Sequence, residues 1–227
     1  MNKYELIKKI EQFAPPETQE KWDCSGWLVE TDKKDVNRVM LCLTVTEDII
    51  KQAKNCDMII SHHPLFFVPL DFKGIDIYCA HTNLDLAQGG TTDTLVDALF
   101  GNIERKTDGF LRYVQKDLTV EELLKILKKI SPNLRYTNNN GQKSVHKIAF
   151  CAGSGSEFIS QAVENGADAF ITGDVKFHTA LECPILLFDI GHFESEIMVL
   201  KVFERLINGD AEVLFASEQS PFMYYQG

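Results

Sequence analysis

The sequence has no long apolar run and no closely spaced pair of cysteines. In 227 residues no apolar stretch approaches the roughly 18 residues of a membrane helix. The start, Met1–Leu6, does not have the uninterrupted apolar stretch of a signal peptide. Neighbouring cysteines are at least 14 positions apart, which argues against zinc-ribbon and thioredoxin-like sites. We therefore expect a cytoplasmic protein with reduced thiols and no membrane partner.

Positive charge is scarce as well. The 23 Lys and Arg residues face 33 Asp and Glu residues, so the net charge is 23 − 33 = −10. Nucleic acids and anionic lipid surfaces need a basic footprint, so neither is expected as a general partner. No P-loop or complete GxGxxG motif is present; the loop Gly153–Ser156 could cradle a phosphate or be a tight turn.

The composition is otherwise that of a globular protein, with 44% hydrophobic and 25% charged residues. Apolar runs alternate with helical patterns, which predicts an α/β fold of two lobes with mixed, largely parallel sheets. We predict that the second lobe, 109–185, is inserted into a metal-binding lobe made of 1–108 and 186–227. The predicted strands are 36–45, 58–61, 75–80, 145–151, 169–172, 185–190 and 212–216.

Histidines cluster where these strands end. His62 and His63 follow the second predicted strand directly, and His81 follows the third, four residues before Asp85. His192 and Glu196 follow the 185–190 strand, and on a helix their spacing of four places them on one face. Taken singly, each could be a core histidine or a surface acid. Together they predict a metal site at the ends of three strands of one sheet.

The number of donors indicates more than one ion. A tetrahedral site needs about four ligands, and three imidazoles with two carboxylates, Glu196 bridging, make six bonds. This favours two divalent ions, and the nitrogen and oxygen donors suit Zn, Mn, Fe, Co or Ni without selecting among them. Two such ions with two carboxylates carry a local positive charge, which would attract phosphate.

Five ordered motifs carry a family resemblance. Trp22–Val29 is similar to W-D-N-x-G-L, with Cys24 in place of the Asn, and Ser61–Phe67 contains H-H-P-L-F. His81–Gly90 is similar to H-T-N-L-D-x-x-x-G-G, Thr172–His178 to T-G-D-x-x-x-H, and Asp189–Glu196 to D-x-G-H-x-x-x-E. The chain thus resembles the dinuclear-metal-centre family named for the yeast NGG-interacting factor, the GTP cyclohydrolase I type 2 homologues.

The resemblance implies roles for particular residues. The metal ligands would be His62, His63, Asp85, His192 and Glu196, the same five that the spacing indicates. His178 or His81 would transfer protons, and Asp23 and Asp174 are candidate substrate-binding residues. His178 could equally pair with Asp174 at a helix cap, His81 could orient a metal ligand, and Asp23 could serve a structural turn. The family also implies a toroidal homohexamer.

The implied activity is that of a two-metal hydrolase, in which metal-activated hydroxide opens the guanine ring of GTP or of a similar phosphorylated small molecule. The same donors would serve a metal-dependent phosphoesterase. A third reading is a non-catalytic protein that binds metal or acts as a scaffold. Fold and family do not choose among the three.

Overall fold

The computed structural model describes residues 1–64 and 72–223, so Leu65–Phe67 of the H-H-P-L-F motif lie outside the described residues. The helices are α1 (Lys3–Phe13), α2 (Glu47–Gln52), α3 (Thr82–Leu86), α4 (Thr91–Phe100), α5 (Val120–Leu127), α6 (Ile159–Glu164), α7 (Phe177–Glu182), α8 (His192–Glu196) and α9 (Leu200–Ile207). The strands are β1 (Gly26–Val29), β2 (Arg38–Cys42), β3 (Met58–Ser61), β4 (Asp76–Cys79), β5 (Lys106–Asp108), β6 (Leu111–Thr119), β7 (Arg135–Thr137), β8 (Ser144–Phe150), β9 (Ala169–Thr172), β10 (Leu186–Asp189) and β11 (Glu212–Phe215).

The chain divides into two α/β units. Among the described residues, the first comprises Met1–Gly90 and Val199–Gln219, and the second comprises Thr91–Met198 and Ser220–Met223. In chain order the second unit is inserted into the first. None of the described helices is long and apolar enough to cross a bilayer.

The first unit is built, within the described residues, on a sheet of order β1-β4-β3-β2-β11. Strands β4, β3, β2 and β11 run parallel, while β1 pairs antiparallel with β4. Helix α2 packs on the sheet through Ile49, which joins a buried cluster with Met40, Cys42 and Ile59. Helix α1 packs on α9, and α9 contacts β2. The covering helices explain why β2, β3 and β4 read as continuous apolar runs.

The second unit, as far as it is described, has a sheet of order β5-β6-β8-β9-β10-β7, in which β8, β9 and β10 run parallel. Alternate residues of β8 face opposite sides: Ile148 and Phe150 pack with helices α4 and α5, and Ala149 packs with α6. This period of two is the expected geometry of a strand covered on both faces. The result is two apolar layers around one sheet.

Two sequence expectations differ from this arrangement. The predicted lobe boundaries at 109 and 185 lie inside the second unit, whose own limits are Thr91 and Met198. The apolar pattern over 193–207 predicts a single helix, but the structure divides it into α8 and α9 by a 3₁₀ turn, Ile197–Val199, and the boundary between the units falls in this turn. A continuous amphipathic pattern cannot reveal such a break, because both halves bury apolar residues.

Local sequence signals mark two helix ends. The spacing of Thr119 and Glu122 predicts a capping box, and the structure has it at the start of α5, where the Thr119 hydroxyl accepts from the Glu122 N–H. Helix α4 ends at Gly101, whose φ of 71° is accessible to glycine without strain. Local capping chemistry therefore sets these helix ends independently of tertiary packing.

The glycine that follows α3 is required for the turn that positions this helix. A Cβ on Gly90 would lie 1.9 Å from the Leu84 carbonyl oxygen and 2.9 Å from that of Ala87. We expect Gly90→Ala to lower the free energy of unfolding by about 1–3 kcal/mol or more, as overpacking against backbone does. Urea denaturation measures the change.

Gly74→Ala is the matched control for this substitution, because its Cβ would meet only the flexible end of the Phe72 ring, at 2.9 Å. Equal stability of the two variants would show that the Gly90 turn does not constrain the unit.

Candidate metal centre

Two adjacent parallel strands bring the first histidines together. β3 and β4 pair in register, with Ser61 opposite Cys79, so the segments that follow them leave the sheet at the same edge. His62 follows β3 directly, and His81 lies two residues after β4. Their rings approach to 5.3 Å between centroids, and the His63 ring lies 5.6 Å from that of His81. The carboxyl edge of the first sheet therefore carries three neighbouring imidazoles.

The hydrogen bonds of His62 and His63 orient their rings. His62 is fully buried, and its Nδ1 lies 2.9 Å from the Ala80 carbonyl oxygen. A carbonyl oxygen only accepts, so Nδ1 carries the proton and Nε2 is the basic nitrogen. His63 Nδ1 forms a 2.6 Å hydrogen bond with Thr44 Oγ1. A partner on Nδ1 is the arrangement that usually fixes a metal-binding histidine for ligation through Nε2.

His81 is held in the same way, by a carboxylate. Its Nδ1 lies 2.9 Å from Asp23 Oδ1, and the Asp23 side chain is fully buried. Burial by itself raises the pKa of Asp23, but hydrogen bonds from Thr82 and His81 outweigh it and lower the pKa to about 2. Asp23 is therefore ionised at neutral pH and accepts the Nδ1 proton, which directs the basic Nε2 of His81 away from it.

The donors of this edge fit a divalent metal ion. The candidate ligand atoms of His62, His63 and His81 all lie within 4.8 Å of one another. Asp85 Oδ1, on α3, lies 3.3 Å from His62 Nε2. Imidazole nitrogens together with a carboxylate oxygen suit Zn, Mn, Fe, Co and Ni. The structure thus brings together three predicted ligands and adds His81, for which proton transfer was predicted.

The second unit holds the other predicted donors. His192 and Glu196 begin and end α8, and His192 Nε2 lies 2.9 Å from Glu196 Oε2, which confirms the predicted i,i+4 geometry. His192 Nδ1 lies 2.7 Å from Asp174 Oδ2. Burial lowers the pKa of His192, but the hydrogen bonds with Asp174 and Glu196 outweigh it and raise the pKa to about 10. The same hydrogen bond lowers the pKa of Asp174.

The backbone around α8 is shaped to hold this pair. Asp174 adopts a φ of 54°, a left-handed conformation that is rare outside glycine and that occurs at functional sites. A Cβ on Gly153 would lie 2.2 Å from Glu196 Oε1, and one on Gly173 would lie 2.8 Å from the His192 nitrogen. Both glycines therefore permit a close approach of backbone to the donors of α8.

One sequence expectation about these donors is wrong. The five ligands do not follow strands of one sheet, because β3 and β4 belong to the first sheet and β10, which precedes His192, belongs to the second. β10 pairs with β9 and β7 there. The apolar pattern of a buried strand does not indicate which sheet the strand joins, so the sequence could not assign β3, β4 and β10 to two different sheets.

The remaining candidate residues are placed as follows. His178 is exposed, and its ring lies 5.3 Å from that of Phe177 between centroids; within the described residues it makes no hydrogen bond with Asp174. In the loop Gly153–Ser156, the Gly153 N–H donates to Ser195 Oγ and the Gly155 N–H to Thr172 Oγ1, each at 2.8 Å. Two amides of the suggested phosphate cradle therefore already have protein acceptors.

Two orienting residues carry no signal in the sequence. Thr44, two residues after β2, bonds His63, and Ser195 Oγ donates to the His192 carbonyl oxygen at 2.7 Å. Threonine and serine are common throughout the chain, so only their position in the fold marks these two. Ser25 lies inside the Trp22–Val29 motif, and its Oγ accepts from the His81 N–H. Asn83 had a signal, because it lies inside the H-T-N-L-D motif; its Oδ1 also accepts from the His81 N–H.

Comparison with known proteins agrees with these motifs. The family model described as Duf34/NIF3 (NGG1p interacting factor 3) matches residues 1–221. The chain belongs to this family. A Campylobacter jejuni protein named GTP cyclohydrolase 1 type 2 homolog is 33% identical over 242 residues, covering 97% of this chain and 98% of the relative. A Clostridium perfringens protein of the same name is 35% identical over 259 residues, with the same coverages.

A solved structure shows the same fold. Reduced HcgD from Methanocaldococcus jannaschii superposes with a TM-score of 0.82 at 28% identity, covering 96% of this chain and 98% of that one. The predicted family and the α/β class with two mixed sheets are therefore both confirmed for this Duf34/NIF3 chain.

The ion pair at His192 generates a prediction about pH. Because its pKa is raised to about 10, His192 is an imidazolium in the metal-free protein at pH 8, and the stability that its charge contributes is complete below about pH 6.5 and lost as the pH rises through 10. Asp174→Asn removes one charged partner and should lower this pKa. Heteronuclear NMR of the imidazole nitrogens measures the pKa of His192 in the unmodified protein and in Asp174→Asn, and His192→Gln assigns the resonance. A His192 that titrates near 6.5 without metal would contradict the pairing.

Proposed function

We propose that this Duf34/NIF3 protein is a metal-dependent hydrolase that acts on a nucleotide-like substrate such as GTP. The observation that carries the proposal is the trio His62, His63 and His81, in which each Nδ1 has a hydrogen-bond partner and the candidate ligand atoms lie within 4.8 Å of one another. Histidines whose Nδ1 atoms are already hydrogen-bonded and whose ligand atoms lie this close together have the arrangement of a metal site. The names of the relatives support the choice of substrate.

The proposed ligands of two divalent ions are those that the motifs indicate. In the first unit they are His62, His63 and Asp85; in the second they are His192 and Glu196. When bound, such ions acidify a coordinated water and stabilise anionic transition states. Binding requires deprotonated donors, so a metal ion must displace the proton that His192 shares with Glu196, and metal affinity should rise with pH.

The Asp23–His81 pair has the geometry of a proton-transfer dyad. Asp23 is ionised and accepts from Nδ1, so His81 is held in the tautomer whose Nε2 accepts a proton. The backbone N–H of Thr82 donates to the other Asp23 oxygen at 3.0 Å, which fixes the carboxylate in turn. A carboxylate that orients an imidazole and stabilises its protonated form is the recurring device of general acid–base catalysis.

The charge of the chain is compatible with a phosphorylated substrate only where ions compensate it. The protein carries −10 overall, and Asp23, Asp85 and Glu196 add negative charge around the histidines. Two divalent ions would reverse the sign locally and would attract the phosphates of a nucleotide. We further propose, on the family resemblance, that the chain assembles as a homohexamer; its native mass tests this.

Metal content tests the ligand assignment. We expect about two transition-metal ions per chain in protein reconstituted at pH 8. Glu196→Gln should lose at least one of them, because the amide is a much weaker ligand than the carboxylate. Glu194→Gln is the matched control on the same helix and should keep both ions. Elemental analysis after dialysis gives the ratio, and equal metal content in the two variants would refute the role of Glu196.

Product analysis tests the reaction. With GTP the metal-loaded protein should release formate without phosphate; phosphate without formate would favour a phosphoesterase, and neither product would favour a non-catalytic metal-binding protein. Asp23→Asn should lower kcat about 100-fold or more, the magnitude of a general acid–base contribution. Unchanged metal content in this variant assigns His81 to proton transfer, whereas lost metal assigns it as a ligand.

A further inference from the structure

We propose that Trp22 is a stacking platform for the planar base of a purine nucleotide, beside the three-histidine edge of the first unit. This inference rests on the proposed function and adds a residue that selects the substrate. It attributes recognition of the base to the protein surface, since metal ligands bind phosphate and water but do not read a heteroaromatic ring.

The first observation is the exposure of Trp22 together with its neighbour. The side chain is 70% exposed, so at least one face of the indole is open. Its ring lies 6.1 Å from the His81 ring between centroids, with 76° between the planes. His81 in turn lies within 5.6 Å of the rings of His62 and His63. A ligand on the indole would therefore lie one imidazole ring away from the candidate metal ligands.

The second observation is that the backbone under this exposed ring is fixed. The Glu20 N–H donates to Thr82 Oγ1 and the Asp23 N–H donates to the Glu20 carbonyl oxygen, both at 2.9 Å. The Ser25 N–H donates to Gln19 Oε1 at 2.8 Å, and the Asp23 carboxylate is held by His81 and Thr82. A large apolar ring on an anchored turn is preorganised for binding, because little backbone entropy remains to be lost.

The chemistry of the ring indicates its ligand. Exposed tryptophan is costly in water and is enriched at binding sites, where it supplies a large, rigid contact area. Every nucleobase has a π-face that can stack on an aromatic side chain. An anionic phosphate alone would gain nothing from an indole. A purine stacked on Trp22 matches a nucleotide whose phosphates are bound through the metal ions.

Fluorescence offers a direct test, because the chain contains two tryptophans. Trp27 is packed against Tyr4 and Tyr78, with ring centroids 5.7 Å and 5.4 Å away, and it lies outside the proposed machinery. In a Trp27→Phe variant of the metal-loaded protein, Trp22 is the remaining indole. We expect guanosine to quench its emission saturably and ribose 5-phosphate to leave it unchanged.

Binding measurements test the same inference without the Trp27→Phe substitution. Trp22→Ala should weaken guanosine binding about 5- to 100-fold, the usual effect of removing a stacked ring, while Trp22→Phe should recover most of it. Affinity for ribose 5-phosphate and metal content should be the same in all three proteins. Calorimetry with both ligands supplies these values.

The outcomes separate this inference from the proposed function. Formate release from GTP with no effect of Trp22→Ala on guanosine binding or KM overturns the stacking role and leaves the hydrolase standing. Guanosine quenching without any turnover of GTP refutes the hydrolase and leaves base recognition standing. Trp22 emission that is already blue-shifted without ligand, and red-shifts on dilution, would show that a second copy of the chain covers the ring, and this also overturns the inference.

Discussion

The in-register parallel pairing of β3 with β4 is the constraint on which the candidate site of the first unit depends. It places the residues after Ser61 and the residues after Cys79 at the same sheet edge, so two histidines that are 19 positions apart in sequence become neighbours. Parallel pairing requires a crossover, and the apolar residues of both strands fix the register by their burial. A slip of one residue would turn these side chains to the opposite faces.

A hydrogen bond at Nδ1 of each of the three rings then orients the ring so that Nε2 can bind a metal ion or accept a proton. His62 donates to a backbone carbonyl, His63 bonds a threonine hydroxyl, and His81 donates to a buried, ionised aspartate. These three partners come from different elements, so the orientation of the rings reports on the packing of the whole unit. In the second unit, Asp174 and Glu196 instead hold His192 as a cation, which makes the proton and a metal ion competitors for the same nitrogen.

Glycines allow the backbone to lie close to Glu196 and His192. Gly153 and Gly173 lie where a Cβ would touch Glu196 or the His192 backbone, and Gly90 lies where it would touch the end of α3. Asp174 accepts a strained left-handed backbone in order to present its carboxylate to His192.

The sequence by itself determined the fold class, the family and the i,i+4 pair His192–Glu196, because periodicity, helix caps and motif spacing are local properties of the chain. Tertiary structure alone decided which sheet each buried strand joins, where the helix at 197–199 breaks, and which hydroxyls and carbonyls orient the histidines. It also decided that Trp22 stays exposed while Trp27, five residues later, is packed between tyrosines. These outcomes depend on contacts between residues far apart in the chain. An apolar pattern predicts that a face is buried, but it is the same whichever element packs against that face.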